Sequence, residues 1–188
     1  MIGPARWAGL LKVREKDNLE FWVAQLVVIV ATVLGVYLAA QAGFAKAVQF
    51  EQVIGDRDGY HLRSALIEEL RDNLDQADQW GKAFTGGQAQ SFFVPGARFE
   101  LQTFVWDAMR FSKETFQVPA AGLTGVRRFY RDAEANLQRM TQADRNARPA
   151  AEALLAQVER ARQTVLPLLE KDRDALKARL QAAGIALD

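Results

Sequence analysis

Residues 21–40 read FWVAQLVVIVATVLGVYLAA, and no charged residue occurs between Glu20 and Lys46. A helix rises 1.5 Å per residue, so about 20 apolar residues cross the hydrocarbon core of a bilayer. The stretch therefore predicts one transmembrane helix, over residues 21–43, that anchors the chain in a lipid bilayer.

Two alternatives share this apolar pattern. A buried core helix of a soluble protein is disfavoured because the charge-free stretch is so long. A cleaved signal peptide is favoured by Ala40-Gln41-Ala42, which has the small-x-small form of a cleavage site. The apolar stretch is longer than the usual h-region of about 7–15 residues, so we expect the anchor to be retained.

The distribution of basic residues predicts the orientation. Four basic residues precede the helix and two follow it over a similar span: Arg6, Lys12, Arg14 and Lys16, then Lys46 and Arg57. The side richer in Lys and Arg normally stays in the cytoplasm. Together with the Ala- and Arg-rich composition, this predicts a bacterial inner-membrane protein with a cytoplasmic tail (residues 1–20) and a periplasmic C-terminal domain.

Small residues line one face of the predicted membrane helix. At 100° per residue, this face contains Ala24, Val28, Ala31, Gly35, Ala39 and Ala42. Small side chains allow the backbone of another helix to approach closely, which favours association within lipid. We predict that this row packs against a helix of another membrane subunit or of a second copy of the chain. The alternative is chance in an Ala-rich segment.

Beyond the membrane, the sequence predicts an all-α domain. Residues 44–59 form a stalk or linker with a break at Gly55–Gly59, because two Gly and two Asp favour turns. Residues 60–188 form an antiparallel bundle of about four helices, since apolar residues recur at steps of three and four. The helices are predicted at about 60–84, 97–113, 123–143 and from Pro149 to Gly184, with a kink or break at Pro167.

The predicted helix over 97–113, which follows the membrane helix and helix 60–84, has apolar residues on two sides. One face is predicted to contain Leu101, Phe104, Val105, Ala108 and Ser112, and a helix that is apolar on two sides is either central in a bundle or contacts a partner. Phe99 and Trp106 lie on nearly the opposite face, and Phe92 and Phe93 precede them in a loop. We predict that Phe92, Phe93, Phe99 and Trp106 form a partner-facing patch. The alternative is that the two loop Phe fold back over the bundle core.

The composition excludes several kinds of chemistry. The chain has no Cys, one His and a net charge of +1. The lack of Cys excludes disulfides, zinc–thiolate sites and thiol catalysis, and the balanced charge argues against a nucleic-acid partner. His61 is predicted to be a surface or capping group, because a general base needs an oriented partner. We expect a non-enzymatic protein with no metal and no cofactor.

Polar residues on helix 60–84 separate into two groups. A solvated acidic face is predicted for Glu68, Glu69, Asp72, Asp75 and Asp78, since the Glu-x-x-His pair of carboxylate-bridged metal bundles is missing. Asn73 instead lies between Leu70 and Leu74 on the apolar face. An unsatisfied buried amide costs about 1–3 kcal/mol. We therefore expect Asn73 to bond a loop carbonyl or a polar group such as Ser112.

Three short motifs resemble a widespread group of uncharacterised bacterial single-pass membrane proteins. They are Glu69-Leu70-Arg71-Asp72-Asn73-Leu74, the Trp-containing segment Trp106–Ser112, and the aromatic pair Phe129-Tyr130. The similarity spans residues 20 to about 142. The spacer of that group is typically more basic than Ala45–Gly59. The resemblance implies an N-terminal anchor and a helical soluble domain, and no established activity.

These patterns predict a non-enzymatic accessory or structural subunit that docks onto a larger membrane protein complex. The small-residue row and the excess apolar surface after it both favour a protein partner. The alternative is a membrane-anchored sensor or ligand-binding helical module.

Overall fold

The computed structural model describes the backbone of residues 5–87, 100–141 and 147–187, and the side chains of these ranges from residue 18 onward. Every regular element in these ranges is helical, as the sequence predicts. The elements are α1 (Ala5–Thr85), α2 (Phe104–Met109), a 3₁₀ helix (Lys113–Gln117), α3 (Ala120–Thr141), α4 (Ala147–Arg160), a π-helical segment (Ala161–Val165) and α5 (Leu166–Ala182). The chain divides into two compact units, Met1–Glu51 and Gln52–Asp188.

The first unit contains the apolar stretch of α1. Every side chain from Asn18 to Phe50 is exposed. The polar Thr32 is satisfied within the helix, since its hydroxyl donates to the carbonyl of Val28 at 2.8 Å. Among the described residues, α1 is the one helix long and apolar enough to cross a membrane, and this confirms the predicted candidate span near the N-terminus.

The core of the second unit consists of the apolar faces of its longer helices. The part of α1 in this unit contributes Leu66, Ile67, Leu70, Leu74 and Ala77, none of them more than 1% exposed. The other helices contribute Val126, Phe129, Ala133, Leu137 and Met140 from α3, Leu154 and Val158 from α4, and Leu169 from α5. These residues follow the predicted steps of three and four, because that spacing places side chains on one helix face.

The predicted break at Gly55–Gly59 is wrong, since α1 continues through these residues. A glycine inside a helix costs about 1 kcal/mol relative to alanine, and tertiary contacts offset this cost. The guanidinium of Arg63 donates to the carbonyl of Gly59 at 3.0 Å. A Cβ at Gly59 would lie 2.8 Å from that guanidinium, so a larger residue there would require the Arg63 side chain to shift. Asp56 in the same segment pairs with Arg179 of α5 at 3.3 Å.

The predicted helix over 97–113 is much shorter in the structure, since residues 100–103 are not helical and α2 ends at Met109. The residues predicted to share one face also differ in burial. Phe104 and Ala108 face solvent, Leu101 and Val105 pack against the core, and the buried side includes Met109 and part of Trp106. The start of α2 is determined by polar side chains of α1, which the local apolar pattern does not reveal.

The predicted end of the helix at Thr85-Gly86-Gly87 is confirmed, and α-helical bonding is interrupted beside Pro167. Helix α1 ends at Thr85, followed by Gly86 and Gly87, and Gly87 has a φ of 75°, which favours glycine. The π-helical segment Ala161–Val165 ends directly before Leu166-Pro167. Proline lacks the N–H for an α-helical bond and its ring clashes with the preceding turn. The α-helical bonding is therefore interrupted where Pro167 predicts it.

Candidate functional site

The second unit contains a buried polar cluster centred on Glu69. Glu69 is 9% exposed. Its carboxylate accepts from the backbone N–H of Val105 at 2.5 Å, from that of Trp106 at 3.1 Å, and from the hydroxyl of Tyr130 at 3.0 Å. The first N–H groups of a helix have no partner within the helix, and a carboxylate there also interacts favourably with the helix dipole. Glu69 on α1 therefore caps α2.

Asn73 lies one turn after Glu69 on α1 and binds Gln102, which is two positions before the start of α2. Its amide nitrogen donates to the carbonyl of Gln102 at 2.6 Å, and its amide oxygen accepts from the N–H of Gln102 at 2.8 Å. The predicted bond from Asn73 to a loop carbonyl is confirmed. Ser112 is not its partner, because Ser112 caps the 3₁₀ helix by accepting from the N–H of Glu114 at 3.3 Å. Ser112 also donates to the Glu114 carboxylate, and this bond lowers the pKa of Glu114.

Tyr130 connects these two polar groups to the aromatic part of the cluster. Its hydroxyl donates to Glu69 and accepts from the Asn73 amide at 3.1 Å. Burial raises the pKa of Tyr130 well above its usual range, and the charge of Glu69 raises it further, so the phenol keeps its proton. The ring centroid of Tyr130 lies 5.9 Å from that of Trp106 and 5.6 Å from that of Phe129.

The three motifs named above thus meet in one place. The acidic-Leu-x-x-Asn segment supplies Glu69 and Asn73, the Trp segment supplies Trp106, and the aromatic pair supplies Tyr130. We call Glu69, Asn73, Trp106 and Tyr130 the α1–α2 polar cluster. Within the part of the chain that the structure describes, each oxygen of Glu69 accepts a backbone N–H, so the carboxylate is committed to holding α2.

The assignment of Glu69 to a solvated acidic face is therefore wrong. The sequence does contain a signal that would have separated it from its neighbours, because it lies three positions from Leu66 and beside Leu70, at the edge of the apolar stripe. Three other acids of this helix form ion pairs: the exposed Glu68 with Arg71 at 2.5 Å, the exposed Asp75 with Arg162 at 2.6 Å, and the partly buried Asp78 with Lys82 at 2.6 Å.

A second buried charge was not identified from the sequence. Arg63 is 1% exposed and donates to the carboxylate of Asp172 on α5 at 2.5 Å. The sequence signal is a cation one turn before Leu66 and Ile67 on the apolar face, which calls for an acidic partner. That partner lies 109 positions away in the chain, so local patterns do not name it.

A cavity of about 550 Å³ lies between α2, the 3₁₀ helix and the start of α3. Trp106 joins it to the α1–α2 polar cluster. Its lining residues are Trp106, Met109, Arg110, Thr115, Ala120, Leu123, Thr124 and Arg127. The two arginines are its charged lining groups, and a mostly apolar cavity of this size with a few polar groups is typical of small-molecule sites.

The other predicted site residues lie as follows. His61 is exposed and its ring lies 5.4 Å from that of Tyr60. Among the described residues, no group of three or more acidic or His side chains is placed to hold a metal ion. The small-residue row, Ala24, Val28, Ala31, Gly35, Ala39 and Ala42, is helical and exposed throughout, and a Cβ at Gly35 would meet no atom within 4 Å.

The predicted partner patch is described only at one of its four residues. Trp106 is half-buried against the core, whereas Phe92, Phe93 and Phe99 lie outside the described residues. The patch as a whole stays a prediction. No family model, curated protein or solved structure matches this chain.

Proposed function

We propose that the chain is a non-enzymatic accessory subunit, anchored in a bacterial inner membrane by α1 and docked there onto other membrane helices. The observation that carries the proposal is the exposed apolar stretch of α1, in which every side chain from Asn18 to Phe50 lacks a covering partner in the described residues. Lipid covers most such surfaces, and small residues mark the side where a second helix packs.

The excess of basic residues before the span supports a cytoplasmic N-terminus and a periplasmic second unit. The Gln52–Asp188 unit then acts as the docking body outside the lipid. Three ion pairs support an antiparallel arrangement of its helices, because later positions on α1 pair with earlier positions on the C-terminal helices. The pairs are Asp56 with Arg179, Arg63 with Asp172 and Asp75 with Arg162.

Two alanine-to-leucine variants in the span test the docking face. Ala31 belongs to the small-residue row, and Ala40 lies nine positions later, which at 100° per residue places it on the opposite side of the helix. Ala31→Leu adds bulk where the second helix packs, whereas Ala40→Leu adds the same bulk towards lipid. Affinity purification from the native membrane in mild detergent is expected to lose the associated subunits, or the second copy, only with Ala31→Leu.

Two outcomes contradict the proposal. If the unmodified chain is monomeric and carries no associated subunit after gentle solubilisation, the proposed docking partner does not exist. Equal recovery of partners with Ala31→Leu and Ala40→Leu removes the role of the small-residue row. Membrane fractionation of both variants checks that neither substitution prevents insertion.

The cavity beside Trp106 favours a second candidate function, a membrane-anchored ligand-binding or sensor module. Its apolar walls, with Arg110 and Arg127, suit a small molecule with an apolar body and an anionic group. A ligand that binds only the folded state raises the unfolding temperature. A screen of amphiphilic anions by thermal unfolding tests this, with Leu123→Trp as the variant in which the cavity is filled.

A further inference from the structure

One end of the second unit has an unusual surface. Three segments meet there: residues 52–59 of α1, the 3₁₀ helix Lys113–Gln117, and residues 176–182 of α5. A Cβ at Gly59 would lie 3.5 Å from the amide oxygen of Gln117 and 3.8 Å from Leu176. Asp56 pairs with Arg179 at 3.3 Å. We call this surface the Gln52 end.

The Gln52 end presents an uncovered aromatic ring among basic groups. Phe116 is 91% exposed. The exposed basic residues of the three segments are Arg57, Lys113, Lys177 and Arg179, and the exposed acid is Asp58. Of the remaining acids, Asp56 pairs with Arg179 at 3.3 Å, and the buried Glu114 binds Ser112 and lies 3.9 Å from the ammonium of Lys113. An exposed aromatic ring beside cationic side chains is the composition of protein surfaces that enter the headgroup region of a bilayer.

The Gln52 end also follows the predicted span closely in the sequence. Gln52 follows the last residue of the predicted span, Gly43, by nine positions (52 − 43). Nine residues reach at most about 30 Å, whatever path they take. A bilayer held at this distance has a high effective concentration, so a weak surface contact becomes populated.

We propose that the Gln52 end docks on the anionic headgroups of the bilayer that holds α1, with Phe116 entering the interface and Arg57, Lys113 and Lys177 facing lipid phosphates. This inference rests on the membrane anchor of the proposed function. It adds an orientation of the second unit that the accessory role does not require.

Because the chain has no Cys, single spin labels report each position without background. The test uses the full chain in nanodiscs, with Phe116→Cys, Phe104→Cys and Val33→Cys each carrying a nitroxide. Phe104 is the matched control, because it is 83% exposed but lies away from the Gln52 end. It adjoins Val105, which binds Glu69. Glu69 lies ten positions beyond Gly59, about 15 Å further along α1. Val33 reports the anchor itself.

Collision rates with oxygen and with a water-soluble nickel chelate measure immersion in lipid. The ratio of the oxygen rate to the nickel rate rises with immersion. It is expected to be higher for the Phe116 label than for the Phe104 label, and to rise when phosphatidylglycerol replaces phosphatidylcholine. Equal, water-like ratios at Phe116 and Phe104 beside a lipid-like ratio at Val33 overturn the docking and leave the anchor intact. A water-like ratio at Val33 overturns the anchor as well. Immersion of Phe116 that is independent of phosphatidylglycerol overturns the role assigned to the basic residues.

Discussion

Replacement of Glu69 by alanine is the most direct test of the α1–α2 polar cluster. The carboxylate accepts three hydrogen bonds, from the N–H groups of Val105 and Trp106 and from the hydroxyl of Tyr130. A typical protein hydrogen bond contributes about 1 kcal/mol net, and bonds to a charged group contribute more. Water reaches the half-exposed Val105 and Trp106 and recovers part of this. We therefore expect Glu69→Ala to lower the free energy of unfolding by about 3 kcal/mol.

The matched control is Glu68→Ala on the same helix. The side chain of Glu68 is 63% exposed and pairs with Arg71 at the surface. Such exposed pairs contribute less than about 1 kcal/mol. Urea unfolding of the full chain in detergent micelles, followed by tryptophan fluorescence, gives the free energy of unfolding for both variants. Values for Glu69→Ala and Glu68→Ala that agree within about 0.5 kcal/mol would refute the capping role of Glu69.

Three further variants probe other contacts of the second unit. Gly81→Ala is expected to destabilise by about 1–3 kcal/mol, because its Cβ would lie 2.7 Å from Leu155, and Leu155→Ala in the same chain should recover part of the loss. Asp172→Ala leaves Arg63 as an uncompensated buried charge, which costs about 3–5 kcal/mol. The folded-state pKa of Tyr130 is raised, so its contribution to stability is complete below the unfolded pKa of about 10 and is lost as the pH rises above that value. Tyr130→Phe should therefore reduce the loss of folding stability at alkaline pH.

Each of these variants has a control in the same chain. Gly43→Ala introduces the same methyl group where a Cβ meets no atom within 4 Å, so it should not destabilise. Asp75→Ala removes a surface pair with Arg162 and should cost less than about 1 kcal/mol. Tyr60→Phe is the control for Tyr130→Phe, because it removes the same hydroxyl from a ring that contacts His61 and not Glu69. Urea unfolding at neutral and alkaline pH measures these variants and the combination of Gly81→Ala with Leu155→Ala, and a control that behaves like its test variant would contradict the corresponding argument.

The sequence was informative wherever a property depends on neighbouring residues. The apolar run from residue 21, the face that contains Leu66, Leu70 and Leu74, and the interruption at Pro167 all follow from spacing within one segment. The amide of Asn73 was also predictable in kind, because a buried amide must find partners. Only the class of partner was named in advance, and Gln102 is that partner.

The structural errors have one common origin. Gly55–Gly59 remains helical, and its Asp56 pairs with Arg179, which lies 123 positions later in α5. Helix α2 starts at Phe104 because Glu69, more than thirty positions earlier, satisfies its first N–H groups. Propensity and periodicity describe a segment alone, and a contact with a distant segment overrides them when it satisfies polar groups or buries charge.

The sequence by itself determined that this chain has a helix of bilayer length followed by amphipathic helices, since the free energy of apolar burial depends on local spacing and composition. Only the tertiary structure decided which polar side chains become internal. Glu69 and Arg63 lie at or beside the apolar face in the sequence, but they are buried because α2 and α5 bring backbone donors and a carboxylate to them. A buried polar group is tolerated only where a partner meets it, and that partner is a property of the fold.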